Sequence, residues 1–246
     1  MGKSHWQLYF GIALIAVSAA LYFAHYLLFH DAHHILIYLV GDIAFVPIEV
    51  LLVTLIIHKM IEEKEKRKIK EKLNMVVGVF FSEIGTELLK IISPLDKNRE
   101  QIKEDMVTGN DWGRKDFKRV LKKIESYKFK IVADEKNLEI LQTLLHSKRD
   151  FLIKLLENPA MLEHDKFTDI LRAVFHLEDE LAKRINIHEI SPQDKAHIEA
   201  DIKRAYKPLV LEWVSYLEYL KRQHPYYFLF AVLTSPFSKN NLAPES

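Results

Sequence analysis

Two apolar runs open the chain, and none of comparable length follows. Trp6–Phe29 holds 24 residues without Asp, Glu, Lys or Arg, and Ile35–His58 holds another 24 whose only acidic or basic side chains before His58 are Asp42 and Glu49. About 20 apolar residues in helical form cross a bilayer core, so both runs predict transmembrane helices. Trp6 and Tyr9 near one end of the first run, and Tyr22, Phe23 and Tyr26 toward the other, suit the two interfacial belts. Ala16, Ala20 and Ala24 recur at every fourth position, marking a face on which another helix can approach closely. A signal peptide would place Leu8–Val17 ahead of a cut after Ser18-Ala19-Ala20, but the apolar run continues well past that site and Lys3 is the only basic residue before it. Between the runs, His30-Asp31-Ala32-His33-His34 leaves room only for a tight antiparallel hairpin.

From Lys59 the pattern changes. EEKEKRKIKEKL contains no turn signal, so the second run is expected to continue as helix beyond the membrane, with Glu62–Lys66 and Glu63–Arg67 as favourable i,i+4 pairs. Val76, Val77, Phe80, Phe81, Ile84, Leu88 and Ile91 then form an apolar stripe at helical spacing, stopped by Ser93-Pro94. Four more helices follow from the same periodicity and from cap residues. Asp111 precedes Trp112–Tyr127, with Phe117, Val120, Leu121 and Ile124 inward; Asp134 starts a helix to Glu157, with Leu138, Leu141, Leu145, Leu152 and Leu155 inward, ended by Asn158-Pro159. Asp165 caps 167–187, burying Ile170, Leu171, Val174, Leu181 and Ile185. Ser191-Pro192 opens a long helix to about Arg222, lined inside by Ile198, Ile202, Ala205, Leu209, Trp213, Leu217 and Leu220, with Pro208 expected to kink it. The eight apolar residues Tyr226–Leu233 are too few to span. Two readings stand: a short helix closing the core, or an interfacial segment against the inner leaflet. The polar tail after Ser238 is expected to be disordered.

Charge sharpens this division. Residues 1–58 hold one basic side chain (Lys3) and three acidic ones, so the remainder carries 34 of the 35 Lys+Arg and 31 of the 34 Asp+Glu. A near-neutral remainder gives no reason to expect nucleic acid as a partner. Lys59, Lys64, Lys66, Arg67, Lys68, Lys70 and Lys72 follow the second run, whereas the short link has no Lys or Arg. The positive-inside rule therefore predicts a cell-membrane protein with both termini cytoplasmic and a histidine-rich tip outside. The chain has no cysteine, which excludes disulfides, thiolate metal sites and cysteine nucleophiles.

Candidate chemistry starts with the two acids in the second run. Asp42 and Glu49 are seven apart, hence about 20° from eclipsed and about 10.5 Å apart along one helix face. Pro47 lies between them and cannot donate to the carbonyl of Ile43. Acids inside a membrane face protein or water, so two acids and a bare carbonyl form a candidate cation pathway. One hairpin cannot enclose a pore, so that reading needs a homo-oligomer. The structural alternative has Asp42 reaching the outer interface or the link histidines, and Glu49 hydrogen-bonding another helix. His30, His33 and His34 with Asp31 are candidates for pH sensing or metal binding, against the plain reading of a wet polar turn. In the helical domain His176 and Glu180, one turn apart, are the metal candidate, with Asp169 on a similar face and Asp194 and His197 at i,i+3. No Glu-x-x-His pair, HExxH, glycine-rich phosphate loop or nucleophile elbow occurs, so no cofactor is expected.

The segments FTDILRAVFHLEDELAKR (167–184) and HPYYFLFAVLTSPF (224–237) resemble uncharacterised prokaryotic membrane proteins with an N-terminal two-helix hairpin and a helical cytoplasmic domain. The resemblance covers most of the chain and implies no activity. The expected architecture is an all-α membrane protein: a transmembrane hairpin over 1–58, a cytoplasmic helical bundle over 59–237 and a tail over 238–246. Three function classes remain. The leading one is a non-enzymatic interaction or sensing module with a cytoplasmic protein partner, anchored in the lipid bilayer and oligomerised by its hairpin. The others are a small cation channel lined by Asp42 and Glu49, and a metal-dependent enzyme around His176 and Glu180.

Overall fold

A computed structural model describes residues 3–106, 111–159, 161, 165–184, 187 and 190–237. Among these the regular secondary structure is all helical, apart from an isolated antiparallel bridge between Asp96 and Ile131. It divides into two compact units, Met1–Glu65 and Lys66–Ser246.

The first unit contains α1 (Lys3–Phe29) and the start of α2 (Ala32–Phe80), which extends past the unit boundary. The link is shorter than the five residues expected, because Ala32, His33 and His34 already form the first turn of α2. Two residues achieve the reversal. His30 adopts a left-handed conformation (φ 51°) with its N–H still donating to the Tyr26 carbonyl, and Asp31 accepts from the N–H groups of His33 and His34 at 3.0 and 3.1 Å. Both helices are long and apolar enough to cross a membrane, and none of their apolar windows is buried within the chain. Ala16, Ala20 and Ala24 are exposed, so α2 does not fill the small-residue face.

The second unit has its own core. The end of α2 contributes Leu73, Val77 and Phe80, then widens into a π-turn over Phe81–Gly85 before α3 (Thr86–Ile92). The extra residue in that turn lets neighbouring phenylalanines point to different partners. Phe80 meets Phe167 edge-on at 5.4 Å, and Phe81 lies against Trp213 and Tyr216 at 5.0 and 5.5 Å. A Cβ on Gly85 would sit 2.6 Å from a ring carbon of each phenylalanine, so only glycine fits. The Pro94 stop takes effect as expected, with a 3-10 turn over Ser93–Leu95.

Then come α4 (Glu100–Met106), α5 (Arg114–Ser126), α6 (Glu135–Ser147), α7 (Arg149–Leu156), α8 (Asp165–Ala182), α9 (Pro192–Gln223) and α10 (Pro225–Leu233). Helix α9 is the hub, packing on α3, α5, α8 and α10. It buries all seven predicted inner residues, and Tyr206, Val210 and Val214 besides. Asp134 and Ser191 cap α6 and α9 through the backbone N–H groups of Asn137 and Asp194.

Two expectations change. Helix α5 begins at Arg114 and is capped at Gly113, whose N–H donates to Asp116 at 2.9 Å, while Trp112 turns edge-on to Phe117. The single helix expected over 135–157 breaks at Lys148, whose ammonium reaches Glu83 at 3.0 Å; the restart places Arg149 on Glu178 and Asp179. Buried Asp96 ties the segment after α5 to the rest, accepting from the N–H groups of Asn98 and Lys130 and from the Tyr127 hydroxyl at 2.7 Å. Helix α10 sets Phe228 and Ala231 inward and leaves Tyr226, Tyr227, Phe230 and Leu233 exposed. Ile185 and the tail 238–246 lie outside the described residues.

Candidate functional site

The residues singled out by the sequence separate into three places. Asp42, Pro47 and Glu49 lie on α2 and are exposed in the single chain; among the described residues neither acid makes a hydrogen bond or ion pair. At the link, Asp31 is occupied as the cap of α2, and backbone hydrogen bonds from His34 and His33 hold its carboxyl below the ordinary value. The His34 ring stacks on His25 (6.2 Å between centroids) and meets Tyr38 edge-on at 4.7 Å. Asp31 thus caps α2, while the His30 ring lies against Tyr26 and the His34 ring against His25 and Tyr38.

The third place lies between α8 and α9. His176 projects from α8, and His197 and Asp201 occupy successive turns of α9. Asp201 sits within the apolar stripe Ile198–Ile202–Ala205, so folding α9 onto α8 carries its carboxylate into the core at 1 % exposure. His176 Nε2 and His197 Nε2 stand 3.5 and 3.3 Å from the same oxygen, Asp201 Oδ2. Arg204 Nη1 lies 3.0 Å from the other oxygen, Oδ1. None of these contacts has hydrogen-bond geometry, and among the described residues both carboxylate oxygens lack a hydrogen-bond partner. The imidazoles are about half exposed, and His176 borders an open groove that Asp169, Arg172, Ala173, Arg204 and Pro208 also line.

Of the expected pair, His176 belongs to this cluster and Glu180 stands at its edge. Glu180 is engaged by Lys183 at 3.2 Å and Arg184 at 3.3 Å, and lies 3.8 Å from His197 Nε2. The Lys183 hydrogen bond, aided by Arg184, holds its carboxyl below the usual range. Asp194 accepts from the Ser191 hydroxyl at the start of α9, and Asp169 pairs with Arg172. Sequence reasoning missed Asp201. The signal was there: an acid on the apolar face of a helix, four residues after a histidine.

The chain matches two family descriptions that share one protein. Residues 2–61 match the N-terminal helical domain of MJ1433, and residues 69–233 match the C-terminal helical domain of the uncharacterized protein MJ1433. The chain belongs to this family. It is 40% identical to the uncharacterized protein MJ1433 of Methanocaldococcus jannaschii over 245 residues, covering 100% of this chain and 98% of that protein. No solved structure matches. The MJ1433 family is thus one of two helical domains, and membership carries no activity to any of the three places described above.

Proposed function

We propose that this chain is a membrane-anchored, non-enzymatic interaction or sensing module. Residues 1–58 form a transmembrane hairpin, both termini are cytoplasmic, and the helical unit meets a protein partner there, with the hairpin also bringing copies together. One observation carries the reading: the apolar windows of α1 and α2 have no cover within the chain, whereas Lys66 onward closes a core of its own. Leaving such side chains in water forfeits on the order of 1.5–3 kcal/mol each, a cost that lipid removes. Lys59–Lys72 against a link without Lys or Arg supports the orientation.

The absence of cysteine makes the test clean. Single replacements Ala32→Cys, in the first turn of α2 next to the link, and Lys118→Cys, at an exposed position of α5, are probed on intact cells with a membrane-impermeant maleimide. Ala32→Cys should label directly and Lys118→Cys only after permeabilisation. The reverse pattern, or release of the chain by alkaline carbonate, overturns the reading.

A second reading keeps the cation pathway, because Asp42 and Glu49 are exposed on α2 and have no partner among the described residues. An unpaired acid at mid-bilayer costs upward of about 2.5 kcal/mol, which neighbouring copies and water would relieve. Liposomes holding the chain should then pass a cation flux that Glu49→Gln changes. Absence of flux at every pH and voltage, or a monomer in lipid, removes this reading.

A further inference from the structure

We propose that His176, His197 and Asp201 form a binding site for a divalent metal ion of zinc-like preference, bridging α8 and α9 with one coordination position open to solvent. The inference stands on the second unit alone and does not depend on membrane anchoring.

Geometry is the first argument. An ion held tetrahedrally at about 2.0–2.1 Å by imidazole nitrogen and carboxylate oxygen separates its ligand atoms by about 3.3 Å. The two nitrogen–oxygen separations here are 3.5 and 3.3 Å, and all three donor atoms lie within 4.8 Å of one another. Two imidazoles and one carboxylate are also the donor set of borderline metals such as zinc, and not of calcium or magnesium, which take oxygen.

Unsatisfied burial is the second argument. Asp201 is 1 % exposed, yet among the described residues neither oxygen has a hydrogen-bond partner. Two imidazole nitrogens converge on Oδ2 without bonding to it, as ligands around a shared point do. Arg204 on Oδ1 leaves Oδ2 free to ligate in monodentate fashion and serves as the outer partner that orients a ligating carboxylate. Both imidazoles are about half exposed and His176 borders the groove, which leaves the fourth position to water or to a donor from a bound partner. His176 comes from α8 while His197 and Asp201 come from α9, so an ion here cross-links the two helices.

The test is zinc titration of the full, untagged chain in detergent by calorimetry, with cobalt(II) as a spectroscopic probe. The expected result is one ion per chain with a Kd of about 10 µM or tighter, and the intense visible absorption of tetrahedral cobalt. His176→Gln and His197→Gln should each weaken zinc at least about tenfold, or about 1.4 kcal/mol. Both positions are half exposed, so these variants keep the fold and carry the test even if Asp201→Asn unfolds. His33→Gln with His34→Gln should leave the stoichiometry unchanged. Zinc binding that survives the double variant His176→Gln/His197→Gln overturns the proposal. So does the absence of binding below millimolar zinc, which would make the cluster an ion pair of Arg204 with Asp201.

Discussion

Replacing Gly85 by alanine sets two effects of opposite sign against each other. In a helix interior, alanine is favoured over glycine by about 1 kcal/mol, which alone would stabilise the chain. At Gly85 the new Cβ would lie 2.6 Å from Phe80 Cε1, 2.6 Å from Phe81 Cδ1 and 2.9 Å from Phe80 Cδ1. Neither ring can withdraw. Phe80 and Phe81 are 0 % and 2 % exposed and are held edge-on or stacked by Phe167, Trp213 and Tyr216. Overpacking a closed core costs about 1–3 kcal/mol, and more where aromatic rings must shift, so the steric term wins. The expected net loss is about 1–2 kcal/mol, or roughly 2–8 °C in Tm for a unit of this size. Melting of the full chain in mild detergent, followed by near-UV circular dichroism, reads it. Gly41→Ala is the internal control, since its Cβ meets nothing within 4 Å. Gly78→Ala is graded between them, because its clash at 2.6 Å is with the Tyr216 hydroxyl, and Tyr216→Phe should relieve it. A Gly85→Ala chain that melts at or above the parent would refute the argument that the π-turn exists to admit both rings.

Two further outcomes follow from buried charge. Arg149→Met leaves Glu178, 1 % exposed, without its guanidinium partner, and should destabilise by about 3 kcal/mol in denaturant unfolding. Adding Glu178→Gln should recover most of that, and a double variant no more stable than the single one would contradict this account. Burial and the bond to Asp96 push the Tyr127 hydroxyl above its ordinary value of 10.0. A raised folded value means that its contribution is complete below about pH 10 and is lost as pH rises beyond. Tyr127→Phe should therefore lower Tm at pH 8 and show a smaller further fall between pH 10 and 11 than the parent; parallel curves across that range would count against the Asp96 bond.

Helix positions in the second unit were legible where their causes are local. Asp134 and Ser191 cap the residues that follow them, Pro94 ends α3 by removing a donor, and the inner face of α9 is a pure periodicity signal. The boundaries that moved have distant causes. No glycine or proline marks Lys148, yet the helix breaks there, where Lys148 meets Glu83 and Arg149 meets Glu178 across 65 and 29 residues. Likewise the apolar stripe around residue 84 reads as ordinary α-helix until Phe167 and Trp213 arrive from α8 and α9 to draw two adjacent rings apart. The candidate metal cluster divides the same way. His176 stood out by type and His197 beside Asp194, but the group that gathers these two is the buried carboxylate of Asp201, with Glu180 left at the edge.

The sequence by itself determined that the chain is helical, that two long apolar runs open it, and which faces of α5 to α9 are inward. Those are one-dimensional properties, set by the period of apolar positions and by residues within a turn of each helix end. Only the tertiary structure decided that His176 and His197 share one oxygen of Asp201, because that meeting requires α8 and α9 to pack and the acid to be carried under them. Spacing along a helix can bring together residues one turn apart. Pairing across 25 residues depends on the whole core that closes over Asp201.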